Sequence, residues 1–80
     1  MTHDEIKNKV TKIFRDILDD ETIVLHDNTT ANDIEGWDSL SHISILYAIE
    51  KDFNIKFILI EVKQLKKAGD LFDLIKSKTP

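Results

Sequence analysis

The chain has 80 residues, with 15 acidic and 11 basic side chains and a formal net charge of −4. It contains no Cys, which excludes a disulfide framework and a thiolate metal site. No run approaches the roughly 18 to 20 apolar residues that cross a bilayer, and the opening "MTHDEIKNKV" lacks the apolar centre of a signal peptide. A single soluble, cytoplasmic domain over residues 1–80 is therefore expected.

Apolar residues make up 41% of the chain, enough for one compact core. Two Gly and one Pro are too few for an all-β fold with many tight turns. Charge is unevenly spread. Residues 1–18 carry four basic and three acidic side chains, residues 19–54 carry nine acids and only Lys51, and residues 55–80 carry six basic and three acidic side chains. The acidic middle disfavours a nucleic acid backbone and favours basic protein surfaces.

In chain order, residues 4–18 read as an amphipathic helix. Ile6, Val10, Ile13, Phe14, Ile17 and Leu18 follow the i, i+3, i+4 pattern. Thr2 and Glu5 have the spacing of a capping box. Residues 19–37 are rich in Asp, Asn and Thr and read as a long loop, tacked to the core by Leu25 and Ile34. A loop of this length in a compact domain usually serves function. Residues 39–52 read as a second helix with two apolar stripes. Ile45, Leu46, Ile49 and Phe53 form one; Leu40, Ile43 and Tyr47 form the other. Residues 55–60, "IKFILI", have the composition of a strand but no partner strand, so a buried connection is expected. A short helix near 61–67 follows. Gly69 and Asp70 mark a turn and an N-cap for a last helix over 70–78 that buries Leu71, Phe72, Leu74 and Ile75.

The chemistry on offer is limited. His3, His26 and His42 share no ligand spacing, and Asp27, Asp33 and Glu35 lack the periodic oxygens of a calcium loop, so no metal site is expected. Asp38, Ser39 and His42 are near neighbours, but Asp38 is placed to cap a helix rather than to orient an imidazole. No Gly-x-Ser-x-Gly elbow is present. What remains is Ser39 as an acceptor. It sits at a helix N-terminus, where free amides and the helix dipole suit an anion. On these residues alone, Asp38 and Ser39 are ordinary helix starters.

The wider stretch "GWDSLSHISILYAIEKDFNIKF" resembles the phosphopantetheine attachment region of acyl carrier proteins. Gly36, Trp37, Asp38, Ser39 and Leu40 match the family's Gly-x-Asp-Ser-Leu opening of the second helix. The apolar spacing Ile45, Leu46, Ile49, Phe53 and the segment "AGDLFDLI" at 68–75 extend the likeness over essentially the whole chain.

The resemblance implies an all-α, four-helix bundle with three longer helices, one short helix and a long loop between the first two. It implies a carrier rather than an enzyme. A separate phosphopantetheinyl transferase would move 4'-phosphopantetheine from coenzyme A onto Ser39, flanked by Asp38 and Leu40. The arm would carry acyl groups as thioesters to partner enzymes of fatty acid, polyketide or specialised lipid biosynthesis. Those partners would be acyl-loading and acyl-transferring enzymes with basic surfaces, met at Leu40, Ile43, Tyr47, Glu50 and Glu35. Leu46, Ile49, Phe53, Phe57, Val62, Leu65 and Leu74 would line an acyl cavity. A monomer is expected. A peptidyl or aminoacyl carrier and an unmodified interaction module on the same scaffold are the alternatives.

Two departures bear on partners. Family members of fatty acid synthesis carry acids where this chain has Ser41 and Ser44, and Lys51 interrupts the later acidic run. Both point to a dedicated pathway rather than housekeeping synthesis. In "FILIEV", 57–62, apolar residues replace the usual Pro or acids. They would deepen the cavity, cover the short helix or form an exposed patch.

Overall fold

The computed structural model describes residues 1–79, which fold as four helices with no strand among them. The helices are α1 (His3–Leu18), α2 (Ser39–Phe53), α3 (Leu59–Lys63) and α4 (Ala68–Lys78), with one 3-10 turn at Ala31–Asp33 in the α1–α2 loop. No helix among them is long and apolar enough to cross a membrane.

The first helix starts as its capping chemistry dictates. The Thr2 amide donates to the Glu5 carboxylate at 2.9 Å, and the Glu5 amide donates to the Thr2 hydroxyl at 3.2 Å. It ends at Asp19, whose left-handed backbone (φ 52°) lets its amide bond the Arg15 carbonyl. The stripe Ile6, Val10, Phe14 is fully buried and packs against both α2 and α4. Ile45, Leu46 and Ile49 enter the same core from α2, and Ala68, Leu71, Phe72 and Ile75 from α4. Burying side chains of this size is worth roughly 1.5–3 kcal/mol each.

The long loop is tied down at more points than its sequence suggested. Leu25 and Ile23 are buried, and Ile34 packs half-buried against the core. Arg15 donates from Nε to the Ile23 carbonyl at 2.9 Å. Buried Thr29 accepts the His26 amide on its hydroxyl at 2.8 Å. The α4 amides of Ala68 and Gly69 donate to the carbonyls of Thr29 and Asp27, each at 2.8 Å. This last pair forces a close approach. A Cβ added to Gly69 would lie 2.6 Å from the Asp27 carbonyl oxygen. Gly69 is therefore not a turn residue but the point where α4 touches the loop.

Three sequence expectations are corrected. The last helix begins at Ala68, not at residue 70, and Asp70 lies inside it. The Asp70 carboxylate reaches back to the amides of Lys66 and Lys67 at 3.0 and 3.2 Å, so it caps from the third helical position. The short helix is Leu59–Lys63 rather than 61–67. Glu61 causes the early start by accepting the Ile58 amide at 3.0 Å, and the Lys78 ammonium holds the other oxygen at 3.0 Å. Residues 55–60 are not a buried connection throughout. Ile55 and Phe57 face the core, but Ile58, Leu59 and Ile60 are 59, 68 and 66% exposed. The extended segment alternates inward until α3 begins and turns three aliphatic side chains outward.

Candidate functional site

The segment entering α2 is held by polar bonds on one side and aromatic packing on the other. Gly36 takes a left-handed backbone (φ 88°) and turns the chain toward the helix. Trp37 then points inward, its ring edge-on to Phe14 with centroids 4.8 Å apart. Its indole N–H donates to Nδ1 of His42 at 3.0 Å. Asp38 is the N-cap, and its Oδ1 accepts the amides of Leu40 (3.0 Å) and Ser41 (2.9 Å). The Ser41 hydroxyl accepts the Asp38 amide at 2.9 Å and donates to the Gly36 carbonyl at 2.7 Å. These contacts knit residues 36, 38 and 41 into one rigid turn.

Ser39 is the first residue of α2 and is exposed. Its neighbours' polar groups bond to one another and leave its hydroxyl out of their network. The capping amides, led by that of Ser41, hold the Asp38 carboxyl below its usual range. Burial lowers the His42 pKa, in keeping with a neutral ring that accepts the indole proton on Nδ1. Asp38 and His42 thus engage other partners, and no Ser–His–Asp relay is assembled. The amides of Leu40 and Ser41 are also taken, so the helix N-terminus does not offer them to an anion as the sequence suggested.

A groove of about 250 Å³ opens beside Ser39. Trp37, Leu65 and Leu71 supply its apolar walls, and Lys66 and Lys67 supply cationic ones. Ala31, Asp38, Ser39 and His42 complete it. The loop, the start of α2 and the α3–α4 connection therefore meet at this serine.

The other expected residues are distributed as follows. Leu40, Ile43 and Tyr47 are 78, 66 and 61% exposed, so the second stripe of α2 faces solvent rather than the core. Glu35 is exposed. Glu50 is half-buried and accepts the Phe57 amide at 2.8 Å, so its carboxylate is committed to fixing the segment after α2. Of the seven residues expected around an acyl cavity, Leu65 lines the groove at Ser39. Leu46 and Ile49 lie in the closed core, while Phe53, Phe57 and Val62 pack half-buried against it. Leu74 lines a separate depression with Leu65 and Glu61. Sequence reasoning did not find the Trp37–His42 bond, the capping role of Ser41, or Lys66 and Lys67. A Ser three residues after an Asp N-cap was a readable signal for the second.

One solved structure similar to this chain is the solution structure of a holo acyl carrier protein from Geobacter metallireducens. It is 46% identical, matches 91% of this chain and 84% of its own, and superposes with a TM-score of 0.86. The chain belongs to the acyl carrier protein family. No family model matches it, and no curated protein matches it. As a family member it functions as a carrier rather than as a catalyst, on the all-helical bundle described above.

Proposed function

We propose that this acyl carrier protein is modified on Ser39 with 4'-phosphopantetheine taken from coenzyme A. The observation that carries the reading is an exposed serine hydroxyl, left out of a rigid cap, at the lip of a groove with apolar and cationic walls. That lining fits the group: Lys66 and Lys67 suit a phosphodiester, and Trp37, Leu65 and Leu71 suit a largely apolar arm. When bound, the arm supplies a terminal thiol that holds acyl groups as thioesters. Ser39 would give its oxygen to a new P–O bond while the pyrophosphate P–O bond of coenzyme A breaks and adenosine 3',5'-bisphosphate leaves. Its proton would pass to a base of the transferase, since the neighbouring His42 and Asp38 are engaged with other partners.

Leu40, Ile43 and Tyr47 give a partner enzyme an apolar strip running along α2 from the attachment point. Glu35 and Asp38 add negative charge near its start, which favours basic partner surfaces. Lys51 places its ammonium 5.2 Å from the centre of the Tyr47 ring and alters that pattern at the far end. Ser41 is used internally for capping. Both features support a dedicated pathway over housekeeping fatty acid synthesis. The direct test is the intact mass of the chain after incubation with coenzyme A and a broad-specificity phosphopantetheinyl transferase. A gain of one phosphopantetheinyl group, absent in Ser39→Ala, is expected. An unchanged mass contradicts the proposal.

A further inference from the structure

The α3 tip is basic in a chain that is acidic overall. Between Phe53 and Gly69 there are four lysines, Lys56, Lys63, Lys66 and Lys67, and one acid, Glu61. That acid is withdrawn. One oxygen accepts the Ile58 amide and the other pairs with Lys78, both at 3.0 Å. All four lysines are exposed. At the centre stand Ile58, Leu59 and Ile60, three consecutive aliphatic side chains that are 59, 68 and 66% exposed. Lys63 follows Leu59 by four residues and Ile60 by three, so it shares their helical face. It also shares one surface depression with Lys66 and Lys67. Asp70 lines that depression too, but its Oδ2 is occupied by two backbone amides.

We propose that this tip is a docking surface for an anionic phospholipid interface. Charge and apolar exposure select this occupant. Exposed lysines beside exposed aliphatics match anionic headgroups above acyl chains, with Ile58, Leu59 and Ile60 entering the headgroup boundary. A second copy of this chain fits poorly. Three side chains fall well short of the roughly 800 Å² per partner of a standard protein interface. The mode is surface docking without a span. Lys66 and Lys67 also line the groove at Ser39, so docking would hold that serine close to the lipid.

Lys66 and Lys67 are shared with the groove at Ser39, whereas Ile58, Leu59, Ile60 and Lys63 lie outside it, so the test uses the unmodified chain and keeps docking separate from attachment. Flotation is measured with vesicles of phosphatidylcholine alone and of phosphatidylcholine mixed with phosphatidylglycerol. Binding is expected on the mixed vesicles only, and high salt should weaken it. Each change Lys63→Gln, Lys66→Gln or Lys67→Gln should lower the partition coefficient about fivefold. The combined Ile58→Ser, Leu59→Ser, Ile60→Ser variant should keep its helical circular dichroism and lose binding. Failure of the wild-type chain to float with mixed vesicles would overturn the proposal. So would undiminished binding by the triple serine variant. A concentration-dependent dimer without vesicle binding, abolished by the same variant, would assign the tip to a second copy and overturn it equally.

Discussion

The Trp37 indole donates its N–H to Nδ1 of His42 at 3.0 Å, bonding the residue before the N-cap to the first turn of α2. Trp37 also lies edge-on against Phe14, so this one side chain connects α1, the end of the long loop and the helix that presents Ser39. The bond requires an unprotonated Nδ1.

Stability should therefore depend on His42. Burial lowers its folded-state pKa below the unfolded value near 6.5. Between the two values the unfolded chain binds more protons, so stability rises with pH across that window. It levels off above about 6.5 and is lost as pH falls below it. Urea unfolding at mildly acidic and neutral pH, read by Trp37 fluorescence, should show this slope. His42→Gln, which keeps an acceptor but does not titrate, should flatten it. An equal slope in the variant contradicts the assignment.

Gly69→Ala should destabilise the protein by roughly 1–3 kcal/mol, the usual cost of overpacking. The new Cβ would meet the Asp27 carbonyl oxygen at 2.6 Å, and backbone there must move. Gly36→Ala should also destabilise, through its positive φ of 88° rather than through crowding. Denaturant midpoints measure both; unchanged midpoints would contradict this account of the loop and its contacts.

Ser41→Ala should cost roughly 1 kcal/mol, because its hydroxyl bridges the Asp38 amide and the Gly36 carbonyl. The same change should slow modification of Ser39, since the turn that presents it loosens. Asp38→Ala should lower the melting temperature, and Asp38→Asn, which keeps a capping oxygen, should restore most of it. Melting curves and single-turnover modification rates test the pair. A slowed rate with an unchanged melting temperature would assign Ser41 to transferase contact instead.

Leu40→Asp and Ile43→Asp should leave stability within about 0.5 kcal/mol, as expected for exposed sites. They should nevertheless lower the rate of modification or of acyl transfer by a partner. Ile45→Ala, two positions from Ile43 but fully buried, should cost about 2–5 kcal/mol. If the two aspartate variants were as unstable as Ile45→Ala, the exposed stripe would be part of the core after all.

Much of this fold was legible because strong local rules agreed. Apolar spacing and the Thr2–Glu5 box placed α1 to within one residue. The two stripes of α2 separated correctly in the sequence, although only packing showed that Leu40, Ile43 and Tyr47 stay outside. Ser39 stood out because an Asp cap and a matching family pattern coincide there. The rest depended on contacts between distant residues. Gly69 resembles a turn residue until its approach to Asp27 is known. Glu61 starts α3 early because its carboxylate reaches back to Ile58 and its outer oxygen is met by Lys78, seventeen positions away. Composition left Ile58–Ile60 open between a buried connection and an exposed patch, since nothing local indicates that a helix beginning there turns them to solvent.

The most direct measurement of the central claim compares wild type, Ser39→Ala and Ser41→Ala after incubation with coenzyme A and a phosphopantetheinyl transferase. Intact masses are followed by peptide mapping of residues 35–53. Wild type and Ser41→Ala should each gain one phosphopantetheinyl group on Ser39, the second more slowly, and Ser39→Ala should gain none. A group mapped to Ser41 or Ser44, or a gain that survives Ser39→Ala, would contradict the assignment of Ser39.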